Sequence, residues 1–134
     1  MRTLHSAYGV TDLIASLDFY AALGYEQVGR VDLGDSASLT MLKFPGEAVV
    51  TLELVHRPSD GQVDVGTGFC HLVVQVDDLG ATIESLSNAG LMPGPMESPG
   101  GPDGPRTSWL RDPDGYRIEL VQMAARSPRR NHGC

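Results

Sequence analysis

The feature that most constrains this chain is an internal duplication, because two similar halves are expected to fold the same way twice. His5-Ser-Ala-Tyr-Gly-Val10-Thr-Asp12-Leu13 resembles His71-Leu-Val-Val-Gln-Val76-Asp-Asp78-Leu79, with the two histidines 66 positions apart. The same offset carries Gly24 onto Gly90 and Leu52-Glu53-Leu54-Val55 onto Ile118-Glu119-Leu120-Val121. With 134 residues, close to the usual size of one domain, the chain reads as a single domain over 1–123 built from modules at about 1–60 and 66–123.

Each half opens with an apolar or alternating strand that carries the histidine and runs to an aspartate, Asp12 or Asp78, suited to cap a helix. Leu13, Leu17 and Tyr20 in the first helix, and Leu79, Ile83 and Leu86 in the second, recur at helical spacing and form one apolar stripe each. Gly24 and Gly90 then stop the helices. Strands are expected at 26–32, 37–44 and 48–57 in the first half. In the second, Gly and Pro crowd the stretch from Gly94 to Pro105, which predicts a weak middle strand and a mobile loop near 98–105. Trp109-Leu-Arg111 and Tyr116 to Gln122 read as a hairpin closed by Asp112-Pro-Asp-Gly115. The expected fold is α+β: two tandem β-α-β-β-β modules forming cupped mixed sheets. The arginine-bearing segment 124–134 lacks an apolar period and reads as a flexible tail.

Composition narrows the function classes. A net charge of -7 opposes binding to phosphate backbones, so nucleic acid is not expected as a partner. No run of 18 apolar residues suggests a membrane span, and no long apolar stretch follows Met1-Arg2, so a cytoplasmic protein is expected. Two cysteines, Cys70 and Cys134, make no disulfide framework.

The chemistry lies in His5, Glu53, His71 and Glu119, all residue types that bind divalent metals through nitrogen or oxygen. Period-two alternation places Glu53 opposite Leu52 and Leu54, and Glu119 opposite Ile118 and Leu120. A carboxylate on such a face is costly unless it is solvated, paired or metal-bound. Taken singly, His5 reads as an ordinary edge-strand histidine and Glu53 as the polar side of a strand. The offset that joins all four favours a metal site directed into one cavity. His56 and His132 fall outside the repeat and read as structural or solvent-facing, and Cys70 reads by strand parity as a small core residue. Nitrogen and oxygen ligands alone favour Ni, Zn, Co, Mn or Fe over a thiolate-type site, and Ni or Zn is the expected ion.

These residues resemble the vicinal oxygen chelate superfamily, and within it the glyoxalase I (lactoylglutathione lyase) family. The resemblance spans nearly the whole chain. It rests on Leu4-His5, on Val10-Thr-Asp-Leu13 leading into Ser16-Leu-Asp-Phe-Tyr20 and Leu23-Gly24, on Leu52-Glu53-Leu54, on His71, and most specifically on Asp112-Pro-Asp-Gly-Tyr-Arg-Ile-Glu-Leu120. It implies a four-ligand divalent metal site of His5, Glu53, His71 and Glu119, and a homodimer with sites completed by two chains. It implies isomerisation of a 2-oxoaldehyde–thiol hemithioacetal to a 2-hydroxyacyl thioester through an enediolate. Glu119 is the expected principal base and Glu53 a ligand and second acid/base. Where the family usually has an arginine four positions after the first ligand, this chain has Gly9, and in place of an asparagine four after the first glutamate it has Arg57. Gly100-Gly101-Pro102 stands where a basic loop residue is common. These departures argue against glutathione as the thiol and leave Arg57, by parity on the Glu53 face, as a substrate contact. The alternatives are another metalloenzyme of the superfamily, an epimerase or an oxygenase, and a non-catalytic ligand-binding or drug-resistance protein on the same fold.

Overall fold

The computed structural model describes residues 1–125; the remainder of the expected tail, with His132 and Cys134, lies outside the described residues. The chain divides into two compact units. The first takes Met1–Cys70 together with Arg111–Tyr116, and the second takes His71–Leu110 and, of the described residues, 117–125. The boundary therefore falls at Cys70, past the expected end of the first module, and the tip of a hairpin from the second half belongs to the first unit. Among the described residues no helix is long and apolar enough to cross a membrane.

In the first unit, strand β1 (Ser6–Val10) leads into helix α1 (Leu13–Leu23), followed by β2 (Glu26–Leu33), β3 (Ala37–Lys43) and β4 (Leu52–His56). The sheet order is β1-β4-β3-β2, with β1 parallel to β4 and the other pairs antiparallel. The Asp12 side chain caps α1 by accepting from the Ala15 N–H at 3.1 Å. Gly24, at φ +122, closes the helix by donating to the carbonyls of Tyr20 and Ala21, and that φ is one a side chain would strain. Leu13 and Tyr20 are buried as the helical stripe requires, and Leu17 is half-buried. Tyr20, Leu42, Leu52 and Leu54 form the fully buried centre, each worth about 1.5–3 kcal/mol by burial. β4 begins at Leu52 rather than at the expected 48, because Glu47 ties 44–51 into a loop. Its carboxylate accepts from the Phe44 N–H at 2.7 Å and from the Thr51 hydroxyl at 2.9 Å.

The hairpin tip is locked into this unit by its two aspartates. Buried Asp112 accepts from the Tyr20 hydroxyl at 2.7 Å and from the N–H groups of Asp114 and Tyr116 at 2.9 Å. The Tyr20 hydroxyl is also hydrogen-bonded to that of Tyr8. Burial pushes the Asp112 carboxyl above its ordinary value despite these donors, and it pushes Tyr8 and Tyr20 up as well. Thr11 donates its N–H and hydroxyl to Asp114 and accepts from the Val63 N–H at 2.9 Å. The Tyr116 hydroxyl donates to the Gly9 carbonyl at 2.8 Å.

The second unit holds β5 (Leu72–Gln75), α2 (Leu79–Asn88), β6 (Arg106–Arg111, whose last residue lies in the first unit) and β7 (Arg117–Gln122). Its sheet order is β5-β7-β6, with β5 parallel to β7. Asp78 caps α2 by accepting from the Ala81 N–H at 3.0 Å, and Gly90, at φ +90, follows the helix end. Leu79 and Leu86 are buried and Ile83 half-buried. The hairpin closed by 112–115 forms as the sequence predicts. The middle strand of this half is weak, as its Gly and Pro predict. The middle strand is reduced to a single bridge between Glu97 and Thr107. Pro93, Pro95, Pro99 and Pro102 lack the N–H groups that a ladder needs, and 98–104 folds instead into successive turns, Gly101 donating to Ser98 and Gly104 to Gly101.

Candidate metal centre

Backbone register shows how far the duplication extends. β1 and β4 pair in parallel with Ala7 opposite Glu53, and β5 and β7 pair in parallel with Val73 opposite Glu119. Both pairings coincide under the 66-residue offset. His5 and His71 each sit one residue ahead of their strand rather than within it. Each is two positions before the residue that faces its glutamate, so period-two alternation turns the ring to the carboxylate's side. The apolar neighbours of the glutamates, Leu52, Leu54, Ile118 and Leu120, are fully buried, which leaves each carboxylate on the opposite face.

The structure thus brings the four expected residues together as two pairs. His5 Nε2 lies 2.9 Å from Glu53 Oε1, with side chains 14% and 15% exposed. His71 Nε2 lies 3.6 Å from Glu119 Oε1, with side chains 28% and 20% exposed. Among the described residues no group of three or more His, Cys, Asp or Glu side chains is gathered closely enough to hold a metal ion. Each pair nevertheless fits two positions of a coordination shell. Donors about 2.1 Å from a common ion are separated by ~3.0 Å at a right angle and by ~3.4 Å at a tetrahedral one. Both observed separations are close to that range. His5 Nδ1 is buried without a partner among the described residues, so the hydrogen bonding of this ring is incomplete.

One expectation is corrected. Cys70 is exposed, not a core residue. β5 starts only at Leu72, so strand parity does not reach Cys70. β4 ends at His56, and Arg57, its backbone still extended, leads into the short 3-10 turn Pro58–Asp60 as an exposed side chain with no hydrogen bond or ion pair among the described residues. His56, in contrast, is half-buried and belongs to neither pair, as expected.

Sequence reasoning missed the surroundings of the second pair. The Trp109 ring meets the His71 ring edge-on, with centroids 4.8 Å apart. The guanidinium of Arg117 stacks over the same indole, 4.3 Å from its centroid. Arg117 was legible two positions before Glu119, on one face of β7. Nothing local to the sequence pairs either residue with Trp109. A cavity of about 460 Å³ opens elsewhere in the second unit, lined by residues including Pro102, Asp103, Arg106, Gln122 and Met123 and by none of the four candidate ligands.

The family model for the Glyoxalase/Bleomycin resistance protein/Dioxygenase superfamily matches residues 2–120. The chain is 34% identical over 128 residues to a lactoylglutathione lyase of Neisseria meningitidis, with 91% of each protein covered. It is 31% identical to a lactoylglutathione lyase of Arabidopsis thaliana, covering 90% of this chain and 44% of that one. A glyoxalase I mutant from Zea mays superposes with a TM-score of 0.80 at 28% identity, covering 92% of this chain and 46% of the maize chain. The chain thus spans less than half the length of these plant proteins and nearly the full length of the bacterial one.

Proposed function

Since the chain belongs to the glyoxalase/bleomycin resistance protein/dioxygenase superfamily, we propose that it is a metal-dependent isomerase of glyoxalase I type. In this reading it converts a 2-oxoaldehyde–thiol hemithioacetal to a 2-hydroxyacyl thioester. The observation that carries the proposal is the presence of two His–Glu pairs in identical strand register, at 2.9 and 3.6 Å. A sequestering protein with no metal chemistry has no need of two such pairs on otherwise apolar strands.

His5, Glu53, His71 and Glu119 would hold a divalent ion, Ni or Zn first among the candidates. When bound, that ion supplies Lewis-acid polarisation of the substrate carbonyl. The remaining work falls to the protein. Glu119 takes the proton from the carbon that bears sulfur and hydroxyl and returns it to the neighbouring carbonyl carbon. The old carbonyl becomes a hydroxyl and the hydroxyl-bearing carbon becomes the thioester, with no net oxidation. Glu53 is a ligand and the second acid/base, its side chain 15% exposed beside His5. Arg57 is offered as an outer anion contact. A homodimer in which pairs from two chains complete each site would supply four ligands where each pair alone supplies two. The exposed thiol of Cys70 suits a reducing, cytoplasmic compartment.

The deciding experiment is metal analysis of the purified protein coupled to a thioester-formation assay with methylglyoxal and several thiols, glutathione among them. Bound metal and thioester product are expected. Metal-free protein that forms no thioester with any thiol would sink the reading. Light scattering at micromolar concentration should give twice the chain mass.

A further inference from the structure

We propose that Arg117, held by Trp109, is a carboxylate receptor that selects a thiol bearing an acidic group close to its sulfur; this rests on the isomerase reading above. Arg117 is on β7 two residues before Glu119, and alternation puts both side chains on one face about 6.8 Å apart along the strand. Its guanidinium lies over the Trp109 indole at 4.3 Å, and the centroid of that indole is 4.8 Å from the His71 ring, the two rings nearly perpendicular. The cation–π contact restrains the guanidinium, which lowers the entropy lost on engaging an anion. No carboxylate among the described residues pairs with it, although the chain carries 17 Asp and Glu. Arg30 and Lys43, by comparison, each have an acidic partner within 3.3 Å. Glu119 on the same face is itself beyond ion-pair reach of Arg117, and its Oε1 is nearest His71.

A guanidinium with no carboxylate partner among the described residues binds an anionic group through a two-point fork, a local attraction set against the chain's net charge of -7. Its place beside the pair sets what it can reach, since the guanidinium is 4.3 Å from the indole centroid and that centroid is 4.8 Å from the His71 ring. An anion held by Arg117 therefore stays near the reacting carbon, as a carboxylate a few bonds from the sulfur does and the distant ends of a long peptide thiol do not. The chemical class implied is a cysteine-like acid thiol.

Trp109 is the only tryptophan of the chain, so its fluorescence reports on this site without any need for turnover. Wild-type protein and Arg117→Gln are titrated with S-methyl-N-acetylcysteine and with its neutral carboxamide. In parallel, KM is measured for the methylglyoxal hemithioacetals of N-acetylcysteine and of N-acetylcysteine amide. The wild type is expected to prefer the acid over the amide by roughly ten- to a hundredfold in both readouts, and Arg117→Gln to bring that ratio close to one. A wild-type ratio near one, or a ratio unchanged in Arg117→Gln, overturns the proposal. Fluorescence discrimination without thioester formation would overturn the isomerase reading while leaving Arg117 as an acid-binding residue.

Discussion

Replacing Tyr20 by Phe removes a single oxygen from the centre of the first unit, and the structure sets the cost. Tyr20 is fully buried, its hydroxyl donates to Asp112 Oδ2 at 2.7 Å, and it is also hydrogen-bonded to the Tyr8 hydroxyl. A hydrogen bond to a charged group is worth about 1.5–3 kcal/mol, and stranding the buried Tyr8 hydroxyl adds about 1 kcal/mol. Asp112 keeps its two backbone donors, so its carboxylate is weakened rather than abandoned. The expected loss is about 2.5–4 kcal/mol. For a chain of this length the unfolding entropy is ~0.28 kcal/mol/K, which converts the loss to a fall in Tm of about 9–14 °C. Calorimetry of the two proteins at one concentration measures it. A fall below about 3 °C would refute the reasoning, since it would mean that the hydroxyl gains no more from Asp112 than it would from water.

Glu119→Gln should leave the fold intact, because the side chain is on the half-exposed face of β7, and should slow turnover by about 10²–10⁴-fold through loss of the base. Undiminished turnover would remove Glu119 from that role. Titration with Ni²⁺ or Co²⁺ should quench Trp109 fluorescence, because the indole is 4.8 Å from the His71 ring, and His71→Ala should weaken the quenching at least tenfold. Burial raises the Asp112 carboxyl in the folded state, so the folded protein holds that proton more tightly than the unfolded chain. The contribution of this group to stability is therefore full below its ordinary value of 3.8 and is lost as pH rises through the raised folded value. Asp112→Asn should flatten that part of the stability profile in urea unfolding between pH 4 and neutrality.

What the sequence determined by itself was whatever repeats over a few residues or at one fixed offset. Period two set Glu53 against Leu52 and Leu54, and Glu119 against Ile118 and Leu120; the structure keeps both arrangements, because pleating acts on each residue in turn. Asp12 and Asp78 were legible as caps for the same local reason. The 66-residue offset went further and carried the strand register of one pair onto the other. Parity failed at Cys70, which lies two positions ahead of β5 and proved exposed. The tertiary structure alone decided the contacts between distant residues. Tyr20 meets Asp112 across 92 positions and Thr11 meets Asp114 across 103, and no periodicity links such partners. The same holds for Trp109, which became the platform for Arg117 and the neighbour of His71 only because β6 and β5 flank β7 in one sheet. Local patterning specifies the face a side chain takes, whereas the order of strands specifies what stands beside it.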